Sequence, residues 1–299
     1  MSVVMSVFNA SQYLSAAVES ILAQSLSDFE FIIIDDGSSD SSLSILRKYE
    51  SGESRIRVIS QQNAGLTKAL NIGISQSRGE FVARMDADDI AMPNRLVLQT
   101  DYLKKHPECV AVGSHILLAD PDGDLLMEEE VPHTHEAIVA KLQSGVGAVP
   151  HPTALIRSDA LRSVGGYRES FTYAQDLDLW LRLAEVGRLA NLPQALLQYR
   201  LHPNSITSRQ RTRQIESAER AVREAYQRTD KPLPADFHIP CPPNPSAERT
   251  YRSWARMAWR SGNLAVAHKH AWNAFRLAPF SLSNLGIARL LVSRPPKAA

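Results

Sequence analysis

Met85-Asp86-Ala87-Asp88-Asp89 sets three carboxylates within four residues, directly after the apolar run Phe81-Val82-Ala83. A bare carboxylate is costly to take out of water. An apolar run that ends in such a cluster therefore delivers it to solvent, to a cation, or to both. Asp86 and Asp88 are two residues apart, and in an extended segment residues i and i+2 point the same way. The two can converge on one hard cation, since magnesium is held by one or two carboxylates completed by substrate phosphates and water. The chemistry this predicts is a metal–diphosphate site. A solvated acidic turn capping the next helix would use the same residues, so the choice rests on the surroundings.

A second acidic centre, Asp35-Asp36-Gly37-Ser38-Ser39-Asp40, closes another apolar run, Phe29 to Ile34. Asp36 can accept a hydrogen bond from a nucleotide base. Phe8 either offers that base an aromatic face or packs in the core. A third centre, Gln175-Asp176-Leu177-Asp178, heads a helix expected over 179–186 with Leu179, Leu183 and Val186 facing inward. On residue type alone Asp176 there reads as a helix cap. Asp178 either raises the pKa of Asp176 or is structural. His133 and His135 sit in a polar loop and read as exposed. His151 projects from a backbone stiffened by Pro150 and Pro152. Asp120-Pro121-Asp122-Gly123-Asp124 has part of the spacing of a calcium loop, but the pattern breaks after Gly123, so a solvated hairpin turn is expected.

The elements that position these groups follow from periodicity. Ser2 to Phe8 is β-rich. Apolar residues at helical spacing then mark a helix over 12–24. Phe29 to Ile34 has the unbroken apolar character of a strand buried on both faces. Ser42 to Tyr49 is helical, Ile56 to Ser60 a strand, and Leu66 to Ser77 a helix, followed by a strand at 81–85 and another from Cys109 to Leu118. This alternation predicts an α/β fold with a mostly parallel central sheet flanked by helices. In such sheets ligands lie off the carboxyl ends of the strands. Ser6–Asn9, Asp35–Ser38 and Asp86–Asp89 all fall at carboxyl ends. There is no G-x-G-x-x-G after the first strand and no G-x-x-x-x-G-K-[ST], which disfavours a Rossmann site or a P-loop.

The chain has 299 residues, 44% hydrophobic and 22% charged, enough for a full core in one large or two smaller domains. Its two cysteines, Cys109 and Cys241, lack metal-ligand spacing and point to a reducing compartment. No apolar run reaches the roughly 18 residues of a membrane span, and no basic leader precedes the first strand, so the expected location is cytoplasmic. Charge is uneven: residues 205–299 carry 16 Lys and Arg against 6 Asp and Glu, whereas 1–204 carry 17 against 26. From Arg209 the pattern is helical and basic, broken by a proline-rich stretch at 232–245. Tyr251–Trp259 and Leu264–Leu277 then form a hairpin, at about 249–280, whose Gly262, Ala267, Ala274 and Pro279 match one tetratricopeptide-like unit. A lone unit cannot bury its own faces. It packs on the rest of the chain, binds a protein, or lies on an anionic membrane.

The chain resembles the family-2 glycosyltransferases of the GT-A fold. The resemblance runs through SVFNASQYLSAAVESILAQS (6–25), FEFIIIDDGSSD (29–40), QNAGLTKALNIGI (62–74) and GEFVARMDADDIAMPNR (79–95). It continues through HPTALIRSDALRSVGGY (151–167), QDLDLWLRLAEVG (175–187) and YRLHPNSIT (199–207), in the family's order over about 1–210. It implies a GT-A catalytic domain at 1–210 and a helical, basic C-terminal extension at 211–299. It also implies inverting transfer of a sugar from a nucleotide-diphosphate donor to a hydroxyl of a glycan or lipid-linked acceptor, in surface polysaccharide synthesis.

By position, the resemblance makes Ser6, Phe8 and Asp36 nucleotide contacts and places Asp86 at the ribose or metal. It makes Asp88 the principal ligand of Mn²⁺ or Mg²⁺, Lys68 a diphosphate contact and Asp176 the general base. His202, after the strand-like ALLQYRL, approaches the metal or diphosphate in similar enzymes, His151 lines a sugar pocket, and Arg209 helps close a loop. Ser6, Phe8 and Gln175 depart from the Pro, Tyr and Glu that many relatives carry. The competing readings are a nucleotidyltransferase on a similar site, whose Gly-rich signature is absent, and a non-catalytic adaptor working through the tail. No nucleic-acid partner is expected, and the basic tail, where it does not simply pack on the rest of the chain, is a candidate contact for a membrane or a protein.

Overall fold

The computed structural model describes residues 1–203, 210–242, 244–281 and 286–287. Arg209 lies outside them. The chain forms two compact units. The first gathers Met1–His115, Glu130–Leu197 and Arg213–Pro240; the second gathers Ile116–Glu129, Gln198–Thr212 and Cys241–Ala299.

In the first unit, β1 (Ser2–Val7), β2 (Glu30–Asp35), β3 (Ile56–Ser60) and β4 (Phe81–Asp86) pair in parallel, in the order β3-β2-β1-β4. Phe31, Ile32, Ile33 and Ile34 have no exposed surface, as a strand covered on both faces requires. Between the strands run α1 (Leu14–Leu22), α2 (Ser42–Gly52) and α3 (Leu66–Ser75). Helix α1 buries Leu14, Ala17, Val18 and Ile21, an i, i+3, i+4, i+7 stripe. Beyond β4 the pairing turns antiparallel: β8 (Leu155–Arg157) lies on β4, and β6 (Cys109–Ala119) on β8. The path ends with β9 (Arg188–Arg200) and β5 (Ile90–Ala91). Helices α4 (Arg95–Lys105), α5 (His135–Gln143), α6 (Ser158–Ser163) and α7 (Gln175–Val186) complete the layers, and α8 (Arg211–Arg228) buries Ala218, Ala221, Val222 and Ala225.

Two local expectations change. Strand β9 is longer than the run ALLQYRL; it continues through Pro193, tolerated because Pro193 is exposed there. Val186, expected inward, is 52% exposed, because α7 ends at Gly187 and its last turn leaves the core.

The second unit carries β7 (Leu125–Glu129), paired antiparallel with the far end of β6, and the hairpin α9 (Ala247–Arg260) and α10 (Leu264–Leu277). The hairpin packs on β7. Ser261 Oγ donates to the Leu126 carbonyl (2.6 Å) and Asn263 Nδ2 to the Leu125 carbonyl (3.0 Å). The acidic turn is not simply solvated. Asp120 has no exposed surface, and Lys269 Nζ reaches Asp120, Asp122 and Asp124 at 2.7, 2.6 and 2.7 Å. His270 Nε2 adds a 2.9 Å contact to Asp120. The acids of this hairpin turn stand two apart, so their side chains reach one point, and an ammonium from α10 fills it.

Candidate active site

Strand order 3-2-1-4 puts β1 between β2 and β4, the switch point off whose carboxyl ends ligands bind in open α/β sheets. Ser6 on β1 is in register with Asp86 on β4, and Val7 with Asp35 on β2. The chain leaves β1 with Phe8 53% exposed, so its ring faces outward instead of joining the core. Asn9 follows in the left-handed region (φ 51°), where its Oδ1 accepts from the Ser39 amide at 2.8 Å. The ends of β1 and β2 are thereby tied together.

Asp36 is buried. Its Oδ1 accepts from Gln61 Nε2 (2.6 Å) and the Ala64 amide (2.9 Å), and its Oδ2 from the Gly65 amide (2.9 Å). The carboxylate therefore pins the loop that opens α3. Ionised, it has about four lone-pair sites, so one remains for a further donor. Gly37, at φ 74°, brings its backbone against the same loop; a Cβ there would lie 2.6 Å from the Asn63 amide nitrogen. Lys68, on the first turn of α3, is half exposed and stands 3.8 Å from Glu169.

The carboxylate oxygens of Asp86, Asp88 and Asp89 lie within 4.8 Å of one another. Oxygen donors at that spacing suit a hard divalent cation. Beneath them lie two buried guanidinium groups. Arg84 ion-pairs Asp86, and Arg95 donates Nη2 to the Arg84 carbonyl (2.7 Å) and Nε to Gln99 (3.2 Å). Burial, reinforced by Arg84, pulls Arg95 down to about 9. Burial pushes the Asp86 carboxyl up; Arg84 opposes that, while Asp88 and Asp176 add to it. Sequence reasoning passed over Arg84, although a charge inside the apolar run of β4 is itself a signal: a buried charge needs a partner.

Asp176 lies in the first turn of α7, not at its cap; the cap residue is Ala174, held left-handed at φ 52°. A β-carbon at positive φ is strained, a cost found mostly at functional sites. Burial raises the Asp176 carboxyl against the helix amides of Leu177 and Asp176. Asp176 in turn raises Tyr167 and Asp86, so it lies within electrostatic reach of the acidic cluster. Tyr167 is buried, and its hydroxyl meets His151 Nε2 at 2.5 Å. His151 also makes an edge contact with Trp180 of α7 and is held neutral by burial and by Arg84. The Gly165-Gly166 turn brings Tyr167 to α3, where Asn71 brackets it: Nδ2 donates to the Tyr167 carbonyl (2.7 Å) and Oδ1 accepts from its amide (2.9 Å). Gly166 (φ 66°) lets that approach happen, since a Cβ would lie 2.9 Å from Asn71 Oδ1.

Asp178 is structural. It has no exposed surface and takes Arg182 and Arg168. His133 contacts the Asn191 carbonyl (3.3 Å), and His135 Nδ1 accepts from the Leu189 amide (3.1 Å), so His135 is half-buried where exposure was expected. His202 is half-buried in the second unit, just past β9.

Residues 2–165 match the glycosyl transferase family 2. An uncharacterized glycosyltransferase of Haemophilus influenzae is 32% identical over 75% of this chain and 72% of its own length. The O-antigen biosynthesis glycosyltransferase WbnJ of Escherichia coli is 31% identical over 75% of this chain and 87% of its own. Among solved structures, mannosyltransferase PcManGT from Pyrobaculum calidifontis, in complex with GDP-Man and Mn²⁺, superposes with TM-score 0.58 at 16% identity, covering 96% of this chain and 78% of that one. The chain belongs to glycosyltransferase family 2. Its fold is the GT-A fold that the motifs implied, and it is a glycosyltransferase.

Proposed function

We propose that the enzyme moves a sugar, with inversion, from a nucleotide-diphosphate donor to a hydroxyl of a glycan or lipid-linked acceptor, in the synthesis of a surface polysaccharide. The observation that carries this is the half-buried carboxyl of Asp176, raised by burial and within electrostatic reach of the Asp86-Asp88-Asp89 cluster at the carboxyl edge of the sheet. A general base needs a pKa raised toward the working pH. Asp176 removes the acceptor hydroxyl proton as the new bond to the anomeric carbon forms and the bond to the diphosphate oxygen breaks. Asp36, Ser6 and Phe8 hold the nucleoside, with the last acceptor site of Asp36 for the base. Lys68 exchanges its loose partner Glu169 for the diphosphate. A Mg²⁺ or Mn²⁺ held chiefly by Asp88, with Asp86 at its side, would neutralise charge on the leaving diphosphate. His202, in the second unit, takes no part in this proposal. The catalytic part is proposed to span 1–210.

Membership of this family favours the transferase over the adaptor and nucleotidyltransferase readings. The test is calorimetry of UDP, GDP, dTDP and CDP, with and without Mn²⁺, on the native protein and on Asp88→Ala. Cation-dependent binding of one diphosphate, lost in the variant, supports the site and names the donor class. Binding of none of them overturns it. No helix among the described residues is long and apolar enough to cross a membrane. The proposed location is the cytoplasm, at the inner face of a membrane.

A further inference from the structure

In the second unit, α10 buries Val266, Ala267, His270 and Ala274. The opposite face is open. Leu264, His268, Trp272 and Phe275 recur on it at i, i+4, i+8 and i+11, and all four are exposed. Trp272 is 60% exposed, Phe275 44%, and Phe280, just past the helix, 98%. The rings of Trp272 and Phe275 stack with centroids 5.6 Å apart. Scattered exposed apolar residues are ordinary, but a contiguous aromatic patch marks an interaction site.

Charge says what meets it. From Ala247 to Leu277 the hairpin carries a single acid, Glu248, which pairs with Arg252 at 2.8 Å. Lys269 is taken by the acidic turn. Arg249, Arg256 and Arg260 form an exposed row at i, i+7 and i+11 on α9, and exposed Arg276 follows Phe275. None of these four forms an ion pair among the described residues. Aromatic residues beside unneutralised arginines on one helical hairpin are the composition of an interfacial membrane anchor, in which rings enter the headgroup region and guanidinium groups meet lipid phosphate.

We propose that the exposed face of the α9–α10 hairpin docks on an anionic lipid bilayer. Each basic residue near such a surface strengthens binding several-fold, and the attraction is screened by salt. The lipid-linked acceptor proposed above would lie in that surface, but docking needs no donor and is measured without one.

The experiment is co-sedimentation of the full chain with phosphatidylcholine vesicles and with vesicles of equal phosphatidylcholine and phosphatidylglycerol, at low and high salt. The protein is expected to sediment with the anionic vesicles alone, less at high salt. Trp272→Ser/Phe275→Ser and, separately, Arg256→Glu/Arg260→Glu are each expected to weaken partitioning by about tenfold or more. All four positions are exposed, and unchanged thermal melting would show that the variants fold. Indifference to anionic lipid, or partitioning that survives both double variants, overturns the proposal. A protein that ignores vesicles but elutes as a dimer, which Trp272→Ser/Phe275→Ser dissociates, also overturns it and assigns the face to a second copy of this chain.

Discussion

Arg182 and Asp178 stand one turn apart on α7 and form a buried ion pair, with Nε and Nη2 both donating to Asp178 Oδ2 at 3.0 and 2.8 Å. Arg168 closes on the other oxygen and reaches Glu224 of α8 at 2.6 Å. Asp176, two residues earlier, lies about 200° away around the helix, so two neighbouring acids serve opposite sides of it. Asp178 fixes the helix, and Asp176 lies within electrostatic reach of Asp86 at the end of β4.

The two acids should therefore fail differently. Asp178→Ala strands Arg182 in the interior, and breaking a buried pair from one side costs roughly 3–5 kcal/mol. Its thermal midpoint should fall sharply. Asp176→Asn should keep its fold and lose about 10²–10⁴-fold in transfer rate. Thermal melts beside donor-turnover assays separate them. A stable Asp178→Ala would refute the structural assignment.

The raised Asp176 carboxyl has a sign that can be read in pH. A carboxyl whose folded pKa lies above its unfolded value binds its proton more tightly when folded. Its favourable contribution is complete below the unfolded value, near 3.9, and disappears as pH rises through the folded pKa. The charged form thus costs stability at neutral pH. Asp176→Asn should melt higher than the native protein at pH 7, and the gap should shrink toward acid pH. The acid limb of the native rate profile should lie above the ordinary aspartate range. An Asp176→Asn variant that melts below the native protein at pH 7, with the deficit shrinking toward acid, would show that Asp176 is instead held low.

The elements that position these acids were legible because the sheet encodes itself locally. Apolar runs such as Phe31 to Ile34 and the i, i+3, i+4 stripe of α1 need no tertiary information. The partners of the acids were not legible in that way. Asp178 shares Arg168 with Glu224 of α8, and Asp120 meets Lys269, across stretches of chain that only the fold joins. Sequence spacing offered Asp120, Asp122 and Asp124 as a broken calcium loop. It could not show that an ammonium from residue 269 would take the cation's place.

Asp36 tests the link between β2 and the loop before α3. Replacing it by Ala leaves the Ala64 and Gly65 amides and Gln61 Nε2 without their acceptor. Each buried donor so stranded costs about 1–3 kcal/mol unless water reaches it. The loss should be local: faster amide exchange over 61–66, with the exchange of β1 and β2 unchanged. Diphosphate affinity should fall together with that protection. Weaker binding with the loop still protected would instead mean that Asp36 acts through the nucleotide alone.

Lys269 is the counter-ion of the second unit. Burial alone would push Asp120 up, but the Lys269 ammonium and the Asp124 amide outweigh it and hold the carboxyl below its ordinary value. The resulting stability is present above the unfolded pKa and lost as pH falls through the lower folded one. Lys269→Met removes the ammonium and leaves three carboxylates whose oxygens lie within 4.8 Å of one another. The variant should melt well below the native protein at pH 7, and the difference should narrow as acid protonates the turn. Oxygen ligands at that spacing suit Ca²⁺, so calcium should restore part of the lost midpoint in Lys269→Met while leaving the native protein unmoved. Recovery of the variant in acid but not in calcium would mean that the turn needs the helix tether and not merely positive charge.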